Sequence, residues 1–219
     1  MVLKTLLSYP NIDINAQDEM GRTPLHRMVE GKPMDGVDTF LSAKGLDFNA
    51  QDVNGETPLH LAAKCNYPEY ITKLLSQKGI VLNAVDNNGQ TALHKAAASP
   101  TYDSIKLLLG HGIDINAQDS KGVTALHIAT KAKESVVVQA ILKEPHVDLT
   151  LVDDAKQTAL HWAAKHGNFN IIKAILAAGG NPNAKDKTGK LPVDLLPKKD
   201  KFRNEKLFRS GPPVSRGRK

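Results

Sequence analysis

Eight histidines and one cysteine are the side chains of this 219-residue chain that offer the most chemistry. Imidazole nitrogens and thiolates bind zinc and serve as bases and nucleophiles. Five of the histidines end the same four-residue phrase, Thr-[Pro/Ala]-Leu-His, and its threonines are 34, 34, 33 and 34 residues apart. The phrases begin at Thr23, Thr57, Thr91, Thr124 and Thr158. A period of this length indicates one supersecondary unit stacked on copies of itself.

This period gives the five histidines a structural explanation that needs no catalysis. Helices of successive repeats pack about 8–10 Å apart, too far for two such imidazoles to share one zinc ion at ~2 Å each. The other histidines, His111, His146 and His166, fall in different repeats, and Cys65 has no histidine or aspartate partner at a recognisable spacing. The sequence also lacks a glycine-rich phosphate loop. We therefore predict no catalytic residue, no metal, no cofactor and no enzymatic activity.

The remaining residues of the phrase predict the start of a helix. Threonine is a good N-cap, and proline at the next position fits the first helical turn, where an N–H has no partner. The leucine then faces inward, and the histidine one turn on is placed to meet the threonine hydroxyl and to bridge to the next repeat. Alanine pairs such as Ala62-Ala63 let neighbouring helices approach closely. A second helix supplies longer apolar side chains, as in Ile171, Ile172, Ile175 and Leu176.

Two further phrases lie between the helices. Asn-Ala-x-Asp precedes most repeats, as in Asn15–Asp18 and Asn49–Asp52. Asp-x-x-Gly, as in Asp52–Gly55, predicts a tight turn with positive φ at glycine. Together the phrases resemble the ankyrin repeat from residue 1 to about 196. The resemblance implies an all-α repeat solenoid of helix–loop–helix units joined by short β-hairpin turns, and a platform that binds other proteins.

This register divides the chain into a series of units. We assign a half-repeat at 1–18, repeats at 19–52, 53–86, 87–119, 120–153 and 154–186, a capping repeat at 187–209 and a disordered basic tail at 210–219. The half-repeat at 1–18 lacks a first helix, so we expect it to be a half-repeat cap or a piece of a longer array. Leu191 and Asp194 replace the threonine and histidine, which suits a terminal repeat, and Pro197 ends its helix. A short covering helix would then contain Phe202, Leu207 and Phe208.

Two places depart from the pattern. Lys156 occupies the position of the turn glycine, and Thr150–Asp153 replaces Asn-Ala-x-Asp. A non-glycine residue at positive φ costs about 1 kcal/mol, so we expect this turn to be reshaped. Pro33 and Gly36 weaken the second helix of the first full repeat. We predict that the stack frays or bends at both places.

Composition and charge bound the compartment and the partners. No apolar run approaches the ~20 residues of a membrane span, and the first residues do not form a signal peptide. Cys65 is alone, so no intramolecular disulfide forms and a reducing compartment is indicated. We predict a monomer in the cytoplasm, with the nucleus, or a host cytosol if the chain is a pathogen effector, as alternatives.

The formal net charge of +6 comes from the C-terminal segment of residues 197–219, which ends in the basic tail. Residues 197–219 hold nine lysines or arginines and two acidic residues, whereas the rest of the chain has a net charge of −1. The tail is a solvated end, a nuclear-import signal, or a contact for nucleic acid or an anionic membrane. We favour the solvated end, because no aromatic interleaving or groove-reading motif accompanies the charge.

Binding of a protein partner is the predicted function, through the hairpin tips and the exposed ends of the first helices. The candidate partner-binding residues are Met20, Arg22, Glu30, Asn54, Glu56, Lys64, Asn88, Gln90, Ser120, Lys121, Lys131 and Lys165. Their charges are mixed, so the sequence indicates no ligand class. Trp162 shares its position in the repeat with Leu61 and Ile128, which favours packing over a binding hot spot.

Three functional interpretations follow. The favoured one is a non-catalytic scaffold that binds a partner protein through a concave face of hairpin tips and first helices. The second is an inhibitor-like regulator of a nuclear or transcription-linked partner. The third is the recognition arm of a larger enzyme or of an effector from an intracellular pathogen.

Overall fold

The structure is a computed structural model that describes residues 9, 12–32, 34–99, 102–132, 134–198 and 206–208. The chain divides into two compact units. The first unit comprises residues 1–96 and 103–113, and the second comprises residues 97–102 and 114–219. Leu3, Leu6 and Leu7, assigned from sequence to the N-terminal half-repeat, Pro33, Phe202 and the basic tail at 210–219 lie outside the described residues.

Short helices alternate along the described chain. They are α1 (Pro24–Gly31), α2 (Val37–Leu41), α3 (Pro58–Lys64), α4 (Pro68–Leu75), α5 (Ala92–Ala97), α6 (Asp103–Gly110), α7 (Ala125–Ala132), α8 (Ser135–Leu142), α9 (Ala159–Lys165), α10 (Phe169–Ala177) and a 3-10 helix (Pro192–Leu195). The predicted all-α fold of paired helices is therefore confirmed. The described residues contain no strand, and their hairpin turns are closed by isolated backbone bonds, including one β-bridge between Val152 and Thr158.

The first helix of each repeat begins where the Thr-[Pro/Ala]-Leu-His phrase predicts. Thr57 is the N-cap of α3 in an extended conformation, and its hydroxyl accepts the His60 backbone N–H at 3.4 Å. Pro58 follows at the first helical position, where its missing N–H removes no helical bond. The Thr57 backbone N–H in turn donates to the His60 ring at 3.1 Å, so each residue caps the other.

The second helix of the first full repeat is shorter than the other α-helices of the described chain. It begins only after Gly36, at φ +79°, and spans the five residues of α2. This agrees with the predicted weakening of that helix by Gly36, because a left-handed residue cannot continue a helix. In the terminal repeat the first helix is reduced to the 3-10 turn Pro192–Leu195. Leu196 follows it in an extended conformation with ψ 136°, as the residue before Pro197 prefers.

Each unit has a layered helical core. In the first unit α1 packs on α3, α3 on α4 and α4 on α6. In the second unit α7 packs on α8 and α9, and α10 packs on α8 and α9. The alanine pairs Ala62-Ala63 and Ala163-Ala164 are fully buried, so small side chains do bring the helices together. Within the described part of the chain, Leu207 and Phe208 are helical and half-buried, whereas the Phe202 of the predicted covering helix is outside it.

Candidate partner-binding face

Hairpin turns lie at the edge of each repeat, and within each unit backbone hydrogen bonds tie successive turns together. In the first unit Val53 N–H donates to Met20 O at 3.0 Å and Asn87 N–H donates to Asn54 O at 2.9 Å. In the second unit Asp154 N–H donates to Lys121 O at 2.9 Å. Lys187 N–H donates to the Ala155 carbonyl in the same way, at 2.8 Å. The side chains at these tips are thus presented by a regular backbone.

An aspartate holds each turn closed. Asp52 Oδ1 accepts the backbone N–H groups of Asn54 and Glu56 at 2.8 and 3.0 Å. Burial opposes ionisation of this carboxyl, but the two N–H groups and the Arg22 guanidinium outweigh burial and lower the pKa of Asp52. Gly55 takes φ +74°, and a Cβ there would lie 2.7 Å from the Asn87 backbone nitrogen. Glycine is therefore required both for its conformation and for the close approach of the next turn.

Lys156 departs from this pattern without changing the turn. The residue adopts φ +57°, and its N–H donates to Asp153 O at 2.8 Å, the same distance as between Gly55 N and Asp52 O. The prediction of a reshaped turn was wrong, because the two backbone bonds to Asp153 Oδ1, from Ala155 and Gln157, persist and hold Lys156 in the left-handed region. The strain is therefore kept in the folded protein.

The phrase histidines bridge successive repeats. In His60, Nδ1 accepts the N–H and hydroxyl of Thr57 at 3.1 and 2.8 Å, so the ring proton belongs on Nε2. Nε2–H then donates to the Gln90 carbonyl of the next repeat at 2.8 Å. The same bridge joins His127 to Gln157 in the second unit at 3.0 Å. Burial lowers the pKa of both imidazoles, although the carbonyl bonds oppose this effect.

The repeat phrases did not predict a second set of bridges between repeats. Asn49 donates from Nδ2 to Gly79 O at 2.8 Å and accepts the Val81 N–H at Oδ1, also at 2.8 Å. Gln51 donates from Nε2 to the Gly55 and Val85 carbonyls at 3.0 and 2.9 Å. Asn15, Asn116, Gln17 and Gln118 repeat these bonds. The signal was the recurrence of Asn and Gln in Asn-Ala-Gln-Asp, which marks side chains that serve the junction between repeats.

Charged side chains on the face of the first unit are paired with one another. Arg22 Nη1 lies 2.6 Å from Glu30 Oε1, and Arg22 Nε lies 3.3 Å from Asp52 Oδ2. Arg27 Nη1 contacts the second Glu30 oxygen at 2.7 Å, and its Nη2 contacts Asp18 at 2.6 Å. The Arg27 and Arg22 guanidinium groups lower the pKa of Glu30, which stays ionised. The turn of this repeat is thereby joined to the end of α1.

A more buried group of charges lies beside it. Lys95 Nζ contacts Glu56 at 2.8 Å and Asp86 Oδ2 at 2.5 Å, and its side chain is 12% exposed. The Asp86 side chain is 1% exposed and Glu56 is 4% exposed. Burial opposes the charge on Lys95, but the two carboxylates outweigh burial and raise its pKa. Lys64 adds a looser contact to Glu56 at 3.4 Å.

The second unit has a tryptophan in place of this charge cluster. Trp162 lies at the position in the repeat that Lys95 holds, and its Nε1–H donates to Asp153 Oδ2 at 2.9 Å. Its ring packs edge-on against His127, with centroids 5.4 Å apart, and tilts against His166 at 6.4 Å. The ring is half-buried. Trp162 therefore packs as the sequence favoured, and it also holds a fixed, partly open aromatic surface.

Comparison with known proteins identifies the fold. The family model of ankyrin repeats in three copies matches residues 30–119 and 104–186, more than half of the chain. The chain belongs to the ankyrin-repeat family. The solved ankyrin-repeat domain of Bcl-3, described as a unique member of the IkappaB protein family, superposes with a TM-score of 0.82. That match covers 94% of this chain and 91% of the other at 24% identity, so it is a likeness of fold.

Curated ankyrin-repeat relatives match shorter stretches. A putative ankyrin repeat protein of Borreliella burgdorferi is 40% identical over 72 residues, which are 32% of this chain and 17% of that protein. An ankyrin repeat-containing protein of Schizosaccharomyces pombe is 39% identical over 67 residues, 30% of this chain and 28% of that protein. The matched segment thus spans less than a third of either relative. These matches show a shared repeat.

The predicted contact residues of this ankyrin protein differ in accessibility. Met20 is 45% exposed, and the other exposed members are Glu30, Asn54, Lys64, Asn88, Ser120, Lys121, Lys131 and Lys165. Gln90 is half-buried. Arg22 and Glu56 lie below the surface, with side chains 14% and 4% exposed, because each is enclosed by the ion pairs described above. These two residues hold charged neighbours in place.

Reactive groups are few in the described ranges. No three His, Cys, Asp or Glu side chains there converge at a spacing that would hold a metal ion. Cys65 is exposed at the C-terminal end of α3, and the atoms packed around its thiol displace part of its water and raise its pKa. No helix in the same ranges is long and apolar enough to cross a membrane.

Proposed function

We propose that this ankyrin array is a non-catalytic scaffold that binds a partner protein through its hairpin tips and the exposed ends of its first helices. The observation that carries the proposal is a division of labour within each repeat. The recurring His, Asn, Gln and Asp side chains are occupied by bonds to neighbouring backbone groups. The variable residues at the tips, such as Met20, Asn54 and Lys121, are exposed.

Exposed side chains of mixed chemistry on a rigid backbone suit protein recognition. A partner that contacts them orders few groups on binding, because the backbone beneath is held by the turn-to-turn bonds. Methionine is also enriched at interface cores. We propose that the residues that contact the partner are Met20, Glu30, Asn54, Lys64, Asn88, Gln90, Ser120, Lys121, Lys131 and Lys165. Arg22 and Glu56 support their charged neighbours.

The proposal is tested by capture with matched variants. The full chain is immobilised and exposed to lysate of the organism that encodes it, beside two tip variants and one control. The first tip variant carries Met20→Ala, Asn54→Ala and Asn88→Ala, and the second carries Lys121→Ala and Lys165→Ala. The control carries Lys143→Ala and Lys173→Ala, exposed lysines at the end of α8 and on α10.

We expect at least one tip variant to lose the proteins retained by the parent chain, with a melting temperature close to that of the parent. The control should retain them. Loss in the control with full retention by both tip variants would place the interface on the second helices and overturn the proposal.

A further inference from the structure

Charges on the binding face are arranged differently in the two units. In the first unit the residue before the phrase threonine and the residue eight positions later form an ion pair, Arg22 with Glu30 and Glu56 with Lys64. These contacts show that the turn and the end of the first helix lie side by side within one repeat. The corresponding positions in the second unit are Val123 with Lys131, and Gln157 with Lys165. Both lysines therefore lack the acidic neighbour that the first unit provides.

Further lysines lie in the turns of the second unit. We define the lysine face as Lys121, Lys131, Lys156, Lys165, Lys187 and Lys190, all of which are exposed. None of the six forms an ion pair with a carboxylate of the described residues, whereas all eight ion pairs found there lie in the first unit. The turn bonds from Asp154 to Lys121 and from Lys187 to Ala155 run through this face.

The aspartates in these turns form no ion pair with the six lysines in the described part of the chain. Asp119, Asp153 and Asp186 use Oδ1 to accept two backbone N–H groups each within their own turns. The second oxygen of Asp153 accepts the Trp162 indole N–H. Asp154 is the exposed acidic residue among these turns. The face thus offers unpaired ammonium groups around an aromatic ring of fixed orientation.

We infer that the lysine face binds an acidic segment of a partner protein, with Asp or Glu side chains at the lysines and an apolar side chain against Trp162. This inference rests on the proposed function and adds the class of partner. A rim of unpaired charge steers and selects an oppositely charged partner. A half-buried tryptophan held by a hydrogen bond is suited to anchor it, because it loses little freedom on binding.

A polypeptide fits this face better than a nucleic acid does. The carboxylates of Asp153 and Asp154 lie among the lysines and would repel a continuous phosphate chain. Equivalent lysines of stacked repeats, such as Lys131 and Lys165, are expected about 8–10 Å apart from helix packing. Carboxylates spaced along a peptide are able to meet lysines at such intervals and to avoid the aspartates.

The test uses oligo-glutamate of about 20 residues with one central leucine as the probe, titrated into the full chain. Trp162 is the sole tryptophan, so its fluorescence reports binding at the face. The test variant carries Lys121→Gln, Lys165→Gln and Lys187→Gln. The control carries Lys106→Gln, Lys143→Gln and Lys173→Gln, which removes the same charge from α6, from the end of α8 and from α10. The basic residues of the tail are common to both variants.

We expect the test variant to bind the probe about tenfold more weakly than the parent, the change that three exposed ion pairs of ordinary strength account for. The control should change affinity less than about twofold, and the difference between the variants should shrink at high salt. Equal weakening in both variants would overturn the inference, because the probe would then respond only to net charge. Stronger, variant-sensitive binding of a dT20 oligonucleotide or of phosphatidylserine vesicles would also overturn it.

Failure of the inference is distinguishable from failure of the proposed function. If capture depends on Met20, Asn54 and Asn88 while the lysine variants leave the probe unaffected, the scaffold stands and the acidic partner does not. If the probe responds to the lysine face but no tip variant alters capture, the peptide site stands and the proposed scaffold face does not.

Discussion

Mild acid should destabilise this protein through the histidines of the repeated phrase. Burial lowers the pKa of His26, His60, His127 and His161, so each is neutral when folded and takes up a proton more readily when unfolded. Protonation at Nδ1 would also set two donors against each other, because Nδ1 accepts the threonine N–H. A histidine with a lowered folded-state pKa does not affect the free energy of unfolding at pH values above its unfolded pKa. As the pH falls below that value, the unfolded chain takes up a proton that the folded chain does not, and the free energy of unfolding decreases.

The magnitude follows from the unfolded pKa of about 6.5. Each histidine that remains neutral in the folded protein lowers the free energy of unfolding by about 1.4 kcal/mol between pH 7.5 and pH 5.5, because only the unfolded chain takes up the proton. His60 and His127, one buried in each unit, together account for about 3 kcal/mol. His26 and His161 are fully buried as well, and their lowered pKa values act in the same direction. The lowered carboxylate pKa values, as at Asp52, act only in stronger acid.

Urea unfolding followed by circular dichroism at pH 7.5, 6.5 and 5.5 measures this dependence. The His127→Gln variant should be less stable at pH 7.5 by about 1–3 kcal/mol and should lose less stability between pH 7.5 and 5.5. His146→Gln is the matched control, because His146 is exposed and its removal should leave the pH dependence unchanged. Equal stability of the parent chain at pH 7.5 and 5.5 would refute the reasoning.

Two substitutions test the packing directly. Lys95→Ala should lower the free energy of unfolding by about 3 kcal/mol, because buried Asp86 would lose its cation and buried Glu56 would keep only the looser contact with Lys64. The exposed Lys64→Ala should cost less than about 1 kcal/mol. Urea unfolding separates the two variants, and equal effects would contradict the buried pairing. Lys156→Gly should raise the free energy of unfolding by about 0.5–1 kcal/mol, because glycine adopts the φ of +57° without steric strain. Calorimetry would detect this change as a higher melting temperature. A lower melting temperature would argue against backbone strain at Lys156.

Sequence predicted the parts of this structure that recur. The period placed every first helix, and the contact of His60 with Thr57 and with the next repeat follows the expected geometry. The turn glycines Gly21, Gly55, Gly89 and Gly122 all take positive φ. These features were readable because each depends on residues at fixed offsets within one unit, where local chemistry decides the conformation.

Contacts between variable residues were not readable in the same way. Lys95 lies on α5 and contacts Asp86, in the turn directly before that helix, and Glu56, beside the preceding turn, 9 and 39 residues before it. Arg22 pairs both with Glu30 on the helix of its own repeat and with Asp52 in the next turn. A repeat pattern places these backbones side by side, but the choice among several nearby partners depends on side-chain length and rotamer, which the pattern leaves open. At Lys156 the local preference of the residue type did not decide the conformation. The backbone N–H groups of Ala155 and Gln157 donate to Asp153 and hold the turn although lysine disfavours positive φ.

The same position of the repeat therefore has opposite consequences in the two units. Glu56 beside Lys64 closes a charge pair, whereas Gln157 beside Lys165 leaves an ammonium group unpaired. Exposed ion pairs add little stability, so this difference matters more for recognition than for folding. A charged partner approaching the first unit would have to displace internal pairs, but one approaching the lysine face would not. The formal charges of the candidate residues are mixed in sign and do not show which lysines are unpaired. The ion pairs within each unit do show it.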